Sequence, residues 1–246
     1  MEKIAYYVLT AFAVIVTLTV HEYCHAYSAY RLGDPTARSL GRLTLNPLRH
    51  IDIFGAICML IFRFGWAKPV PINSRYLKKP RRDMAIIALS GPLSNLVMAI
   101  AAAFVYRLIY ALLRGVHFPN DFLLAAAQST VDFFYIFHSV NVGIAIFNLL
   151  PIPPLDGSRI LGIILPPRMY YSIMRYERII YYVLLGWLFL GDPISDYLLS
   201  LPVIAANPLL YIGATLISLS NILSYAISAV SNLIFMLTDL IPFLRF

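Results

Sequence analysis

The sequence predicts an all-α polytopic membrane protein with about five to six transmembrane helices. Of the 246 residues, 60% are apolar and only 13% are charged, whereas about a quarter of the residues in a soluble domain are charged. The mean hydropathy is +0.77, and the apolar residues lie in long blocks. Because about 20 apolar residues cross a hydrocarbon core of about 30 Å, several of these blocks are long enough to span a membrane.

The apolar blocks themselves are the candidate transmembrane helices. The first four cover about residues 4–30, 84–110, 129–150 and 179–190, and the fourth extends to residue 199 at most. After Pro202 the chain stays apolar, which predicts one or two more helices with a break near Ser220-Asn221. Breaks are also expected at Ser90-Gly91-Pro92 and at residues 151–154, because proline lacks the N–H that a regular helix uses.

Residues 31–82, between the first two blocks, have a different character. They are basic and rich in Gly and Pro, which predicts loops with short strands such as residues 41–45 and 66–72. An apolar run at residues 51–62 is too short to span comfortably and is expected to be re-entrant or interfacial. The predicted fold therefore includes a small membrane-associated β or re-entrant region after the first helix.

The whole chain is expected to form one integral membrane domain, residues 1–246, with a core at about 4–165 and further helices at about 177–246. The first block is too long for a cleavable signal peptide of the usual kind. The two cysteines, Cys24 and Cys58, are too few for a disulfide framework and are expected to be reduced.

The distribution of basic residues predicts the orientation in the membrane. Eleven of the nineteen Lys and Arg residues lie in residues 31–82 and four lie in residues 159–178, whereas the loop after the second block holds Arg114, with Arg107 near its border. Short loops rich in Lys and Arg stay in the cytoplasm, so both basic regions are expected there, most simply in a prokaryotic cell membrane. No basic stripe is interleaved with aromatic residues, so the lipid bilayer is the expected partner and nucleic acid is not.

The segment His21-Glu22-Tyr23-Cys24-His25 carries the strongest chemical signal. Residues i and i+4 share one face of a helix, so His21 and His25 can hold one zinc ion, with Glu22 beside it as the base that activates water. Ionisable residues in an apolar helix usually face a cavity or a partner. Cys24 is not an expected ligand, because the two histidines already occupy that face. The alternative is a polar helix end with hydrogen-bonded histidines.

The third metal ligand has to come from elsewhere, because catalytic zinc usually has three protein ligands and a water. Asp156 is the best candidate, since it follows the third block in a proline-broken stretch and is expected on the same side of the membrane as His21. The alternative is an ordinary turn residue, because Asp-Gly commonly marks a turn.

Taken together, these motifs resemble the site-2 protease family of intramembrane zinc metalloproteases, in its short form without a PDZ or CBS domain. The matching segments are HEYCHAY at 21–27, GRLTLNPLRHID at 41–52, GWAKPVPIN at 65–73, SGPLSN at 90–95 and NLLPIPPLDGSRIL at 148–161. The resemblance covers roughly residues 15–165. It implies a three-helix catalytic core, zinc ligands at His21, His25 and Asp156, and Glu22 as the catalytic acid/base.

Four further polar residues lie in apolar blocks. Asn148 is close to Asp156 in sequence and could donate to the oxyanion of a tetrahedral intermediate, a role that the resemblance supports. Asn95 is either substrate-facing or site-supporting by the same resemblance. The alternative for all of them is helix–helix hydrogen bonding or close packing, which is favoured for His138 and Asn141.

The expected function is hydrolysis of peptide bonds in single-spanning membrane proteins, as in regulated intramembrane proteolysis, with one zinc ion per chain. An extended substrate segment is expected to pair with a strand in residues 38–72, because backbone leaving a helix in lipid needs new hydrogen-bond partners. The alternative is a membrane protein that binds or transports zinc without hydrolysis, which would need the ligands but no base at Glu22. A catalytically idle chaperone-like relative is disfavoured by the intact motif.

Overall fold

The structure, a computed structural model, describes residues 2–55, 66–205, 207–216 and 218–240. Two single-turn 3-10 helices lie at Pro47–Arg49 and Ser74–Tyr76. The α-helices are α1 (Glu2–Arg31), α2 (Thr36–Ser39), α3 (Pro80–Leu113), α4 (Asp121–Leu149), α5 (Asp156–Ile164), α6 (Pro167–Arg175), α7 (Glu177–Leu199), α8 (Pro202–Ala205), α9 (Pro208–Thr215) and α10 (Leu219–Thr238).

Five of these helices are long and apolar enough to cross a membrane, namely α1, α3, α4, α7 and α10. Their lengths of 20 to 34 residues correspond to about 30–50 Å at 1.5 Å per residue. Large apolar side chains such as Val97 and Leu233 are exposed on their outer faces, as expected for surfaces that meet lipid. The chain is therefore an all-α multi-pass integral membrane protein, and this part of the prediction is confirmed.

Helix α3 does not break at Ser90-Gly91-Pro92, so that expectation was wrong. The helix continues from Pro80 to Leu113 with Pro92 inside it. Membrane helices tolerate proline because neighbouring groups replace the lost backbone bond. The backbone bond that Pro92 cannot make is the one to the Ala88 carbonyl. In the same stretch of helix, Ser90 Oγ donates to the Ile87 carbonyl at 2.6 Å and Ser94 Oγ donates to the Gly91 carbonyl at 2.7 Å.

Polar residues cap two helices at their start. Helix α4 begins at Asp121 rather than near Ser129 as predicted, where the Asn120 side chain accepts the Leu123 N–H at 2.9 Å. Helix α9 ends at Thr215 and α10 begins at Leu219, within a few residues of the break predicted near Ser220-Asn221, and Ser218 Oγ accepts the Asn221 N–H at 3.2 Å. Side chains of this kind satisfy backbone N–H groups that have no partner within the helix.

The predicted strands at residues 41–45 and 66–72 are absent from the part of the chain that the structure describes. That part holds one isolated antiparallel bridge, between Ile51 and Ala67. Two prolines, Pro69 and Pro71, cannot donate to a ladder, and the N–H groups of Val70 and Asn73 donate to side chains instead. Most of the predicted re-entrant run, residues 56–62, lies outside the described residues, as does the second cysteine.

Helix α3 packs against α1, α4 and α5 and so occupies the centre of the fold. Small residues line its contacts with α4 and α10, where Ala99 and Ala103 form a buried cluster with Val142 and Ile234. Such residues allow helices to approach closely in a membrane. Close approach matters because the candidate site lies between α1, α3 and α5.

Candidate metal centre

Three potential metal ligands from two helices converge in the structure. The Nε2 atoms of His21 and His25, one turn apart on α1, lie 3.0 Å from each other. Each Nε2 atom lies 3.2 Å from Oδ2 of Asp156, the first residue of α5. Both histidines are buried. We call this set of three donor atoms the metal triangle.

Asp156 reaches the triangle because the chain reverses tightly after α4. The prolines at 151–154 separate α4 from α5, and Gly157 then packs directly on the end of α4. A Cβ atom at Gly157 would lie 2.2 Å from the carbonyl oxygen of Leu149, so a larger residue does not fit there. The Asp-Gly pair therefore begins a helix at the site and is more than an ordinary surface turn.

The backbone of α3 forms the third side of the site. A Cβ atom at Gly91 would lie 2.5 Å from His25 Nε2 and 2.6 Å from His21 Cε1, both far closer than van der Waals contact. Gly91 thus leaves the space that the two imidazoles occupy. This close approach explains in physical terms why a glycine is needed in the segment SGPLSN.

Hydrogen bonds on the outer side of the imidazoles set their orientation. His25 Nδ1 lies 2.8 Å from the Ile87 carbonyl oxygen, which can only accept, so Nδ1 carries the proton and Nε2 has a free lone pair. His21 Nδ1 lies 3.1 Å from Nδ2 of Asn95, while Oδ1 of Asn95 is buried and has no hydrogen-bond partner among the residues that the structure describes. An asparagine amide can present either its nitrogen or its oxygen to a neighbour. With the amide rotated, Oδ1 would accept a hydrogen bond from the Nδ1–H of His21, as the Ile87 carbonyl does from His25.

The donor set fits a zinc ion. With both histidines protonated at Nδ1, two imidazole lone pairs and a carboxylate oxygen face one another, and Asp156 Oδ2 is buried and accepts no hydrogen bond from the described residues. These atoms would repel one another unless a cation lay between them. Tetrahedral zinc with bonds of about 2.0–2.1 Å needs ligand atoms about 3.3 Å apart, close to the observed 3.0–3.2 Å.

Glu22 lies beside the triangle in sequence but is not part of it. Its side chain is buried, and its Oε2 atom accepts the backbone N–H of Val70 at 3.0 Å. Burial holds the pKa of the Arg42 guanidinium below its usual value, and the negative charge of the nearby Glu22 opposes that shift. A buried carboxylate that does not bind the metal is available to move a proton.

Among the other predicted site residues, Asn95 contacts a ligand of the metal triangle, whereas Asn148, His138 and Asn141 hydrogen-bond to helix carbonyls. Asn95 is fully buried and contacts His21, which fits a supporting role better than a substrate-facing one. Asn148 donates from Nδ2 to the Ile144 carbonyl of its own helix at 3.0 Å. His138 Nδ1 lies 3.0 Å from the Ala99 carbonyl of α3, a helix–helix contact of the kind that the alternative describes. Asn141 donates to the Phe137 carbonyl of its own helix.

Sequence reasoning missed three buried polar residues in the segment between α1 and α3. Asp34 and His50 are almost fully inaccessible and Arg42 is 7% exposed, although the sequence predicted only loops or a sheet there. Each of the three hydrogen-bonds to backbone of the same segment. Nothing in their local sequence marks them, since Asp, Arg and His are common in exposed loops.

Comparison with known proteins identifies the family. Peptidase family M50 matches residues 9–191. The chain is 38% identical over 204 residues to "Putative zinc metalloprotease YwhC" of Bacillus subtilis (strain 168), covering 81% of this chain and 90% of that protein. It is 30% identical over 162 residues to "Putative zinc metalloprotease Rip2" of Mycolicibacterium smegmatis, covering 64% of this chain and 57% of that protein. No solved structure matches.

The match to the family spans α1, α3, α4 and α5, which together carry the metal triangle and Glu22. The resemblance seen in the sequence motifs is therefore confirmed by an independent comparison. The chain belongs to peptidase family M50, the site-2 protease family.

Proposed function

We propose that this protein is an intramembrane zinc metalloendopeptidase that cleaves transmembrane protein substrates in regulated intramembrane proteolysis. The observation that carries the proposal is the metal triangle of His21, His25 and Asp156, set among apolar helices with Glu22 buried beside it. Family membership and the names of the bacterial relatives support the same chemistry.

The site residues have two proposed roles, metal binding and proton transfer. A zinc ion bound by His21, His25 and Asp156 would supply Lewis-acid activation of water and of the scissile carbonyl. Glu22 takes a proton from the attacking water and returns it to the leaving amine, as a general base and then a general acid. We assign no ligand role to Glu22, because its carboxylate is held by the Val70 N–H instead.

Asn148 is the proposed oxyanion donor. An asparagine amide has two N–H groups, and in the structure Nδ2 gives one hydrogen bond to the Ile144 carbonyl. The second N–H is then available for the oxygen that develops charge in the transition state. A donor fixed by its own helix in this way needs no reorganisation during the reaction.

Asn95 is proposed to hold His21 in position rather than to bind substrate. It is fully buried, and its amide reaches His21 Nδ1 from the adjacent helix α3. Second-sphere groups of this kind fix the tautomer and the ring orientation of a metal-ligating histidine. The support for this role is the unpaired Oδ1 atom of Asn95, which a protonated Nδ1 of His21 would satisfy.

The substrate is proposed to be a single-spanning membrane protein, and the site to open toward the cytoplasm of a prokaryotic cell. The excess of Lys and Arg in residues 31–82 and 159–178 supports the orientation, because these residues flank the end of α1 and the start of α5 that carry the ligands. The bacterial origin of the relatives supports the cell type.

Glu22→Gln tests the proposal directly. The variant is expected to keep its zinc and to lose cleavage by at least about 10²–10⁴-fold, the usual range for general acid–base catalysis. The measurement uses purified protein, a panel of membrane-spanning fusion substrates and a chelator control, with zinc content measured in parallel. Wild-type cleavage by Glu22→Gln would refute the protease mechanism, and zinc transport without any cleavage would favour the transporter alternative.

A further inference from the structure

A short extended segment passes over the catalytic carboxylate. We call residues 66–73 the strap. Within it, the N–H of Val70 donates to Oε2 of Glu22 at 3.0 Å, and both residues are buried. Pro69 and Pro71 on either side have no N–H, so Val70 supplies the one backbone donor of this triplet. A hydrogen bond from an amide to a buried carboxylate is charge-assisted and stronger than a neutral one.

Three buried polar residues hold the strap in place. Asp34, fully buried, accepts the Asn73 N–H at 2.7 Å through Oδ2 and the Thr36 N–H at 2.9 Å through Oδ1. Arg42 donates to the Lys68 carbonyl, and the Lys68 N–H donates to the His50 carbonyl at 2.8 Å. Both ends of the strap are therefore tied to the segment that follows α1.

These anchors are not explained by the metal triangle, because neither Asp34 nor Arg42 belongs to it. Burying a charged side chain is expensive unless hydrogen bonds compensate. Here Asp34 and Arg42 each make one hydrogen bond to the backbone of the strap, and Val70 makes the contact of the strap with the site. Asp34 and Arg42 are therefore linked to the Glu22 carboxylate through the backbone of the strap.

We propose that the strap positions Glu22 for proton transfer and that Asp34 and Arg42 are positioning residues acting through it. The Val70 N–H holds Oε2, which limits rotation of the carboxylate and directs Oε1 toward the reacting water. This inference rests on the proposed function, because it assigns Glu22 the role of general base. It extends the site to a segment that binds neither metal nor scissile bond.

The direct test compares Val70→Pro with Val70→Ala. Alanine loses side-chain packing but keeps the N–H that reaches Glu22, whereas proline removes that N–H and places its Cδ atom where the hydrogen pointed at Oε2. For Val70→Pro we expect kcat to fall roughly 10- to 100-fold, the usual effect of removing a supporting partner, with KM within about twofold and zinc content unchanged. The loss in Val70→Ala should be clearly smaller. Equal kcat values for the two variants, or a rise in kcat for Val70→Pro, would overturn the proposal.

A second pair of variants keeps the test decisive if Val70→Pro does not fold. Asp34→Asn replaces one acceptor oxygen by a donor and leaves the Arg42 charge in place. Arg42→Gln removes the guanidinium that donates to Lys68 together with its positive charge near Glu22. Each variant should lower kcat, leave KM nearly unchanged and retain zinc. The matched control is Asp196→Asn, at an exposed position on α7. Wild-type kcat in both variants, or zinc loss in parallel with activity, would refute positioning. If Glu22→Gln remains inactive in that case, the proposed function still stands.

The direction of helix α10 carries a second, independent inference. Its C-terminal end lies beside the far end of α3, where Arg107 pairs with Asp239 at 2.5 Å and donates to the Phe235 carbonyl at 3.3 Å. Arg107 is 16 residues, or about 24 Å of helix, beyond Gly91 at the metal triangle. Closer to the N-terminal end of α10, Ile227 packs against Gly143 of α4. Helix α10 therefore starts near the depth of the site and ends on the opposite side.

Two contacts of helix α7, one near each end, lie at the membrane depth of the metal triangle. Glu177 at its start pairs at 2.6 Å with Arg159, which lies one turn after Asp156 on α5. Asp192 accepts hydrogen bonds from Ser218 and, at 2.8 Å, from Ser220 at the start of α10. The two points are 15 residues or about 22 Å apart along the helix. A helix held at one depth over this length runs across the bundle instead of through the bilayer.

We infer that the chain crosses the membrane four times, through α1, α3, α4 and α10, and that α7 lies obliquely in the leaflet on the side of the site. By length and composition, α7 qualifies as a fifth span. If α7 crossed the membrane, however, α10 would start on the side opposite the site, and its C-terminal end would lie on the same side as the site. The contact between Arg107 and Asp239 requires the opposite side.

Labelling of single cysteines with an impermeant reagent tests this topology in intact cells. In a background with both native cysteines replaced, Leu240→Cys should label like Asn120→Cys in the loop after α3, and unlike Ser74→Cys in the basic segment. The comparison needs no assumption about which side is cytoplasmic. If Leu240→Cys labels like Ser74→Cys, α7 spans the membrane and the inference is wrong.

Discussion

Gly91→Ala should disable the metal centre although it adds only one methyl group. The new Cβ atom would lie 2.5 Å from His25 Nε2, whereas ordinary contact begins at 3.4 Å. Helix α3 or the two imidazoles must therefore move by about 0.9 Å. Zinc ligands tolerate deviations of only about 0.2 Å, so the two histidines and Asp156 cannot all reach the ion after such a shift.

The expected loss follows from that displacement. A misplacement of about 1 Å can lower an enzymatic rate by about 10²-fold, and overpacking a well-packed interior costs about 1–3 kcal/mol of stability. For Gly91→Ala we expect roughly 100-fold weaker zinc binding and a similar loss of cleavage. Zinc affinity is measured by competition with a chelator of known affinity, and cleavage with the same membrane-spanning substrate in detergent or liposomes.

Other glycines of the chain provide matched controls. A methyl group added at Gly186 on α7 would meet no atom within 4 Å, and one added at Gly143 on α4 would meet only Ile227 at 3.4 Å. Gly186→Ala should keep wild-type zinc affinity and stabilise its helix by about 0.5–1 kcal/mol, because alanine loses less backbone entropy. If Gly91→Ala binds zinc as tightly as Gly186→Ala, the close approach of α3 does not shape the metal centre.

Three further outcomes are expected. Asn95→Ala should weaken zinc binding roughly 10- to 100-fold, as loss of a second-sphere partner does, while Asn141→Ala should not; equal zinc affinities would remove the role given to Asn95. Metal analysis should find one zinc per chain, lost in a His21→Ala/His25→Ala double variant, and two tightly bound ions would contradict the single triangle. Substrates with Gly, Pro or Asn near the scissile bond should be cut faster than Leu-substituted ones, because those residues weaken helix; equal initial rates would mean that unwinding is not limiting.

Local patterns predicted the parts of the site that depend on one helix. The four-residue spacing of His21 and His25 places both imidazoles on one face, since helical geometry repeats every 3.6 residues. The predicted third ligand, Asp156, is indeed adjacent to both histidines. The prediction of a helix break at Pro92 was wrong because it too used only consecutive residues. A local rule about proline could not foresee that neighbouring groups in a packed membrane bundle would let α3 continue.

By itself, the sequence determined that this is a polytopic membrane protein, which chemistry it is equipped for and which family it belongs to. Those conclusions follow from the length of apolar blocks and from short motifs, both of which are properties of consecutive residues. Only the tertiary structure decided that Asn95 contacts His21, that Gly91 makes room for the imidazoles, and that the buried Asp34 and Arg42 hydrogen-bond to the strap. These depend on which residues meet across helices far apart in the chain, and packing in three dimensions sets those contacts.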